Sequence, residues 1–131
     1  MNSKIILKIN QLEEALNRFK EVLNVEPQPD YLTDAAIQRF EFCYELIWKT
    51  IKMALLLNGV EANSPKDVFK KAFQYNYIKN LDLWVNIIDF RNLTTHTYDQ
   101  ILAEEVFEQL PDYVELFSEV LLKLKKEFIN E

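Results

Sequence analysis

Glycine occurs once in this 131-residue sequence, at Gly59, and proline only four times. Folds made of many short strands need tight turns, and tight turns draw on those two residues, so the shortage points to long helices. Cysteine is equally scarce. The single thiol, Cys43, allows no internal disulfide framework, which suits the cytosol. One cysteine and one histidine fall short of the soft ligands a zinc site draws on. No metal or cofactor is therefore expected, although carboxylate-bound magnesium stays open. No uninterrupted apolar run reaches the roughly 18 residues of a membrane span. The first ten residues hold too short an apolar core for a signal peptide, so a cytoplasmic protein without membrane contact is expected. Positive charge is in deficit, with 15 Lys and Arg against 21 Asp and Glu, a formal −6. Such a surface repels phosphate backbones in general, which argues against nucleic-acid packaging but leaves room for a nuclease with a local basic pocket.

What is present is helical periodicity. Apolar residues make up 49% of the chain and charged residues 27%, the balance of one ordinary folded domain, residues 1–131. Ile5, Ile9, Leu12, Leu16, Phe19 and Leu23 are spaced alternately four and three apart, a heptad seam. Pro27 and Pro29, within Glu26–Asp30, should stop that helix. Thr33 or Asp30 can cap the next, which carries Ile37, Phe40, Tyr44, Ile47, Trp48, Ile51 and Leu55 and closes at Asn58-Gly59. Ser64-Pro65-Lys66-Asp67 reads as the start of a short helix holding Val68, Phe69, Ala72 and Phe73. After a connection over 75–80, a fourth helix runs from Leu81 to about Asn92 with Trp84, Ile87 and Ile88 inward. A last helix spans about Thr97 to Phe128, with a second seam of Ala103, Val106, Leu110, Tyr113, Phe117, Val120 and Leu124. Pro111 should kink or divide it. The expected fold is all-α, a four-helix up-and-down bundle with one additional short helix, packed near-parallel at about 20°.

One stretch does not serve the core pattern. Continuing the Trp84–Ile88 stripe by three arrives at Arg91, and a cation on the buried side of a helix needs an anion, an interface or a cleft. Five residues later stands the lone histidine, His96. On one unbroken helix the two would point about 140° apart. They converge only if the helix ends between them. Thr94 and Thr95 are poor helix formers, and Thr97-Tyr98-Asp99-Gln100 reads as a capping box opening the next helix. Arg91, His96 and Tyr98 are then expected at one helix–helix corner. Each also has a plain structural reading: Arg91 paired with Glu41, Glu45 or Asp89, His96 as a cap or packing group, Tyr98 as a half-buried ring with its hydroxyl in water.

Arg91-Asn92-x-x-x-His96-x-Tyr98 resembles the R-x4-H-x-Y signature of HEPN domains. More narrowly, the chain resembles the branch encoded beside minimal nucleotidyltransferases, labelled nucleotidyltransferase substrate-binding proteins and including HepT-type toxins. The likeness extends to Gln38–Lys49, similar to the family's F-E…Y-E-L-x-W-K helix, and to Ser64-Pro65, Phe69, Ala72 and Trp84, spanning roughly residues 5 to 125.

The resemblance implies a HEPN-like helical bundle that forms a homodimer and joins two motifs across a cleft. It implies a metal-independent endoribonuclease in which His96 is the general acid or base, Arg91 holds the phosphate and Asn92 orients either one. It also implies a toxin–antitoxin arrangement in which a nucleotidyltransferase encoded nearby silences the nuclease by AMPylation (adenylylation) of Tyr98. The alternative it leaves is a non-catalytic subunit that helps such an enzyme bind RNA or a nucleotide. No Gly-rich phosphate loop is visible, so transfer chemistry is expected from the partner.

Overall fold

The computed structural model describes residues 3–25, 29 and 31–129. Five α-helices follow one another: α1 (Ser3–Leu23), α2 (Leu32–Leu57), α3 (Pro65–Gln74), α4 (Leu81–Leu93) and α5 (Gln100–Phe128), with one 3-10 turn, Thr94–His96, between the last two. The expected all-α architecture is present. The three longest helices, α1, α2 and α5, pack on one another, while α3 bridges α2 and α4. No described helix is long and apolar enough to cross a membrane.

Heptad spacing places the core. Ile5, Ile9, Leu12, Leu16 and Phe19 are buried on α1, but the seam ends at Val22, with Leu23 only half-buried. Phe40 is the hub of the aromatic core, its ring 5.2 Å from Phe90, 5.5 Å from Tyr113 and 5.8 Å from Phe117. Three helices therefore meet on one side chain, and truncating it to alanine should cost about 3–5 kcal/mol. Phe69 ties α3 to the rest through Trp84, at 5.2 Å. Phe73 is exposed, and Trp48 and Ile88, both expected on the apolar side, are half-buried. On α4 the buried stripe instead runs Trp84, Ile87, Phe90.

The helix ends follow local chemistry, with three departures from expectation. The residue before α2 is Tyr31, without a side-chain cap, and Thr33 lies inside the helix; Asp30 and residues 26–28 lie outside the described residues. The Leu32 N–H instead finds the Pro29 carbonyl at 2.9 Å. Gly59 closes α2 at φ +82°, and the Ser64 hydroxyl accepts from the Asp67 N–H at 3.2 Å, as expected. The Thr97 capping box is absent: α5 begins at Gln100, where the Asp99 carboxylate accepts from the N–H groups of Ile101 and Leu102 at 3.0 and 3.3 Å. Pro111 does not divide α5, which runs unbroken to Phe128. Its ring faces solvent while Leu110 keeps the seam buried, so the lost backbone bond lies away from the core.

The lower end of the bundle is tied by Lys125 to Glu13 at 2.8 Å and by Tyr77, which donates to Glu127 at 2.6 Å. The motif corner lies at the opposite end of α5, where α4 stops.

Candidate functional site

Three threonines stop α4. The Thr94, Thr95 and Thr97 hydroxyls reach the carbonyls of Arg91, Asn92 and Thr94, each three residues back, at 2.6, 2.7 and 3.0 Å. Side chains that bond local carbonyls in this way compete with the α-helical ladder and favour a tighter turn. The chain accordingly passes through the 3-10 turn before Asp99 restarts it as α5. The helix ends between Arg91 and His96, as the spacing requires.

Arg91 points toward α2. Its Nη1 lies 3.2 Å from the Glu41 carboxylate and 3.0 Å from the Thr94 hydroxyl, and that hydroxyl is 2.6 Å from the same Glu41 oxygen. Of the three acidic partners the sequence allows, the structure selects Glu41. The pair is about three-quarters buried, and the Arg91 Nε–H has no partner. Thr94, itself buried, is the residue that sequence reasoning missed. Its position three after the arginine, on the same helix face, was the available signal.

His96 and Tyr98 form a second, exposed group. His96 Nδ1 is 3.3 Å from the Tyr98 hydroxyl, and the rings meet edge-on at 5.9 Å. Tyr98 is 85% exposed, so the expectation of a half-buried ring gives way to one standing in solvent. Within one chain Arg91 and His96 form no hydrogen bond to each other. Asn92 is exposed beside them, its carbonyl accepting from Thr95. Leu93 and Ile101 expose 43% and 72% of their surface on either side, so an apolar rim surrounds the corner.

Below Tyr98 an open groove of about 460 Å³ runs between α2 and the threonine turn, lined by Asp34, Gln38, Glu41, Thr94, Thr97 and Tyr98 among others. It is rich in acceptors and poor in cations, which suits hydroxyl and amino donors better than phosphate. Among the described residues, no group of three or more His, Cys, Asp or Glu is placed to hold a metal ion.

Two ionisable side chains behind the site are tuned by burial. The Tyr44 phenol is pushed up to about 12 by desolvation, with Glu45 adding to the shift and Arg91 opposing it. Burial also pushes the Cys43 thiol up to about 12, which leaves it unreactive near neutrality.

Comparison with known proteins follows the same residues. The family model described as nucleotidyltransferase substrate binding protein like matches residues 7–126. A Haemophilus influenzae protein named probable ribonuclease HepT is 35% identical over 102 residues, 74% of this chain and 70% of its own length. A crystal structure from Thermus thermophilus is 38% identical, with a TM-score of 0.80 over 87% of this chain and 98% of that one. A second solved structure, from Haemophilus influenzae, is described as revealing the fold of a substrate binding domain of a nucleotidyltransferase. It is 32% identical, with a TM-score of 0.81 over 89% of this chain and 98% of its own.

Proposed function

The chain belongs to the nucleotidyltransferase substrate-binding protein family, and from that premise we propose that it is a metal-independent endoribonuclease controlled by a partner nucleotidyltransferase. The observation that carries this reading is the exposed His96–Tyr98 pair, 3.3 Å apart at the end of the threonine turn. It sets an imidazole, a side chain that can accept or give up a proton, beside a phenol that an outside enzyme can reach. The name of the Haemophilus ribonuclease relative supports the first half, and the described role of the solved Haemophilus structure supports the second.

In the proposed reaction an RNA 2′-oxygen attacks the adjacent phosphorus and the 5′-oxygen leaves, giving a 2′,3′-cyclic phosphate. His96 accepts the 2′-hydroxyl proton or supplies one to the leaving oxygen. Arg91 neutralises charge gathering on the phosphate, a task its forked donors suit once Glu41 and Thr94 fix one edge of the guanidinium. Asn92, on the exposed side of the same turn, orients one of them. Arg91 and His96 do not touch within one chain, and the apolar rim of Leu93 and Ile101 is unpartnered. Both features support a homodimer in which two corners share one cleft.

Control follows from Tyr98. Its phenolic oxygen attacks the α-phosphorus of ATP held by the partner, the bond to the β-phosphate oxygen breaks, pyrophosphate departs and the phenolic proton passes to a base on the partner. The adenylyl group then sits over His96, where its negative charge opposes an incoming phosphate. The acceptor-rich groove below suits its ribose hydroxyls and adenine amino group.

A second reading, a non-catalytic subunit that presents substrate to the transferase, is favoured by one feature: Arg91 is already engaged by Glu41. The two readings part in one test. Partner-free protein incubated with single-stranded RNA in EDTA should leave cyclic-phosphate ends; intact RNA would support the passive subunit.

A further inference from the structure

Lysines from two separate helices gather round one indole in this otherwise acidic chain. Between α1 and the C-terminal half of α2, Lys8, Trp48, Lys49, Lys52, Met53 and Leu56 line a groove of about 290 Å³. Among the described residues neither Lys8 nor Lys52 forms an ion pair, and Lys49 reaches only the exposed Glu45, at 3.5 Å. The Lys49 ammonium lies 5.8 Å from the centre of the Trp48 ring, marking the accessible side of the indole. The indole N–H is buried without a hydrogen-bond partner, so it is the ring that the groove offers a ligand. Three ammonium groups held in one groove repel one another, and the fold supplies only one weak counterion. An anionic ligand relieves that repulsion.

The groove is also aligned with the motif. Trp48 and Lys52 follow Glu41 by about two and three helical turns, so all three share one face of α2, and Lys52 lies about 16 Å along the axis from the residue that holds Arg91. Cations beside a flat ring are the elements of a single-strand contact, where ammoniums follow the backbone and the ring takes any base. We propose that this groove is a second contact for single-stranded RNA, with Lys8, Lys49 and Lys52 on phosphates and Trp48 against a base, holding the strand whose cleavage occurs at the motif corner. The identification of the strand as substrate rests on the nuclease reading; the groove's preference for a single-stranded polyanion does not. Its lining is mostly apolar below the ammonium groups, which suits a base better than a free phosphate ion.

The test uses the full chain carrying His96→Ala, so that RNA stays intact, and a fluorescein-labelled single-stranded RNA read by anisotropy across a salt series. Lys8→Gln, Lys49→Gln and Lys52→Gln together should lower the slope of log affinity against log salt by about 2, the counterion release of three phosphate contacts. Trp48→Ala should weaken binding by about five- to 150-fold, the worth of one stacked base. It should also abolish RNA-induced quenching of tryptophan fluorescence, since the other indole, Trp84, is buried. Unchanged affinity and salt slope in the triple lysine variant overturn the proposal. So does a triple variant that keeps RNA but no longer binds a nucleotidyltransferase, which makes the groove a protein contact. Lysine-dependent binding together with an unmutated protein that leaves RNA intact sustains the groove and removes the nuclease reading instead.

Discussion

Glu41 on α2 and Arg91 on α4, fifty residues apart in the chain, meet with Oε2 and Nη1 3.2 Å apart, and Thr94 joins both. This triangle sets the direction of the one arginine in the motif. Because the pair is mostly shielded, removing either partner strands a charge. Glu41→Ala and Arg91→Ala should each destabilise the fold by about 1–3 kcal/mol. The double variant should lose less than the sum, since groups in one network couple. Urea denaturation of the four proteins measures this; strictly additive losses would show that the pair contributes nothing to the fold.

The same triangle bears on catalysis. Arg91→Lys keeps the charge but cannot satisfy Glu41, Thr94 and a phosphate with one forked plane, so RNA cleavage should fall by at least about tenfold. Cleavage at the unmodified rate in Arg91→Lys would mean that the arginine serves the fold alone.

Arg91 and His96 are each engaged elsewhere in the single chain, which makes a shared cleft testable by mixing. Separately, Arg91→Ala and His96→Ala proteins should be inactive. Exchanged together, they form mixed dimers in which one composite cleft holds an intact Arg91 from one protomer and an intact His96 from the other. Activity should then return to a measurable fraction of the unmutated level. A mixture that exchanges subunits, as native mass spectrometry can verify, yet stays inactive would place each complete site within a single chain.

Among the described residues Tyr98 is the most exposed of the large hydrophobic side chains, at 85%. Incubation with the partner nucleotidyltransferase, ATP and magnesium should raise the intact mass by one adenylyl group and stop RNA cleavage. Tyr98→Phe should keep its mass and stay active. The modified site should map to the peptide containing Tyr98 and not to Tyr75 or Tyr31, which are also exposed. Modification at either of those instead would separate control from the motif.

Stability should fall in strong alkali, and the responsible groups are named by the structure. Desolvation raises the phenols of Tyr44, to about 12, and of Tyr113, where Asp112 adds to the effect. Tyr77 is raised by the same cause together with its bond to Glu127. Below about pH 10 these phenols are protonated folded and unfolded alike, and their contribution is intact. Above it the unfolded chain loses protons first, so the folded state binds more and stability drops as pH rises toward 12. Thermal melts from pH 7 to 11 should show a decline that begins near 9, where the unfolded Cys43 thiol loses the proton its buried form keeps, and steepens near 10 as the phenols join it. Tyr77→Phe should shallow that decline.

The helical seams were open to reading because they depend on spacing alone: Ile9, Leu16, Phe40, Ile51, Phe117 and Leu124 are buried where a 3.5-residue repeat puts them. The Ser64 cap and the Gly59 stop were legible for the same reason, since each acts within four residues. Thr97 misled because a capping box and an Asp cap differ only in where the backbone leaves the preceding turn, and that turn is set by threonine hydroxyls bonding backward. Pro111 misled because its cost depends on which side of the helix it faces. Arg91, His96 and Tyr98 stand out by their local pattern, but the selection of Glu41 over Glu45 required the register of α2 against α4. The lysine groove was invisible in sequence: Lys8 lies on α1, Lys49 and Lys52 on α2, and only packing brings them together.

The central claim is that this corner cleaves RNA through His96. Partner-free protein and its His96→Ala variant, purified identically and assayed on single-stranded RNA in EDTA, address it directly. The variant should be slower by roughly 10²–10⁴, the usual contribution of a general acid–base group, with unchanged helicity by circular dichroism. Equal rates for the two proteins would contradict the account.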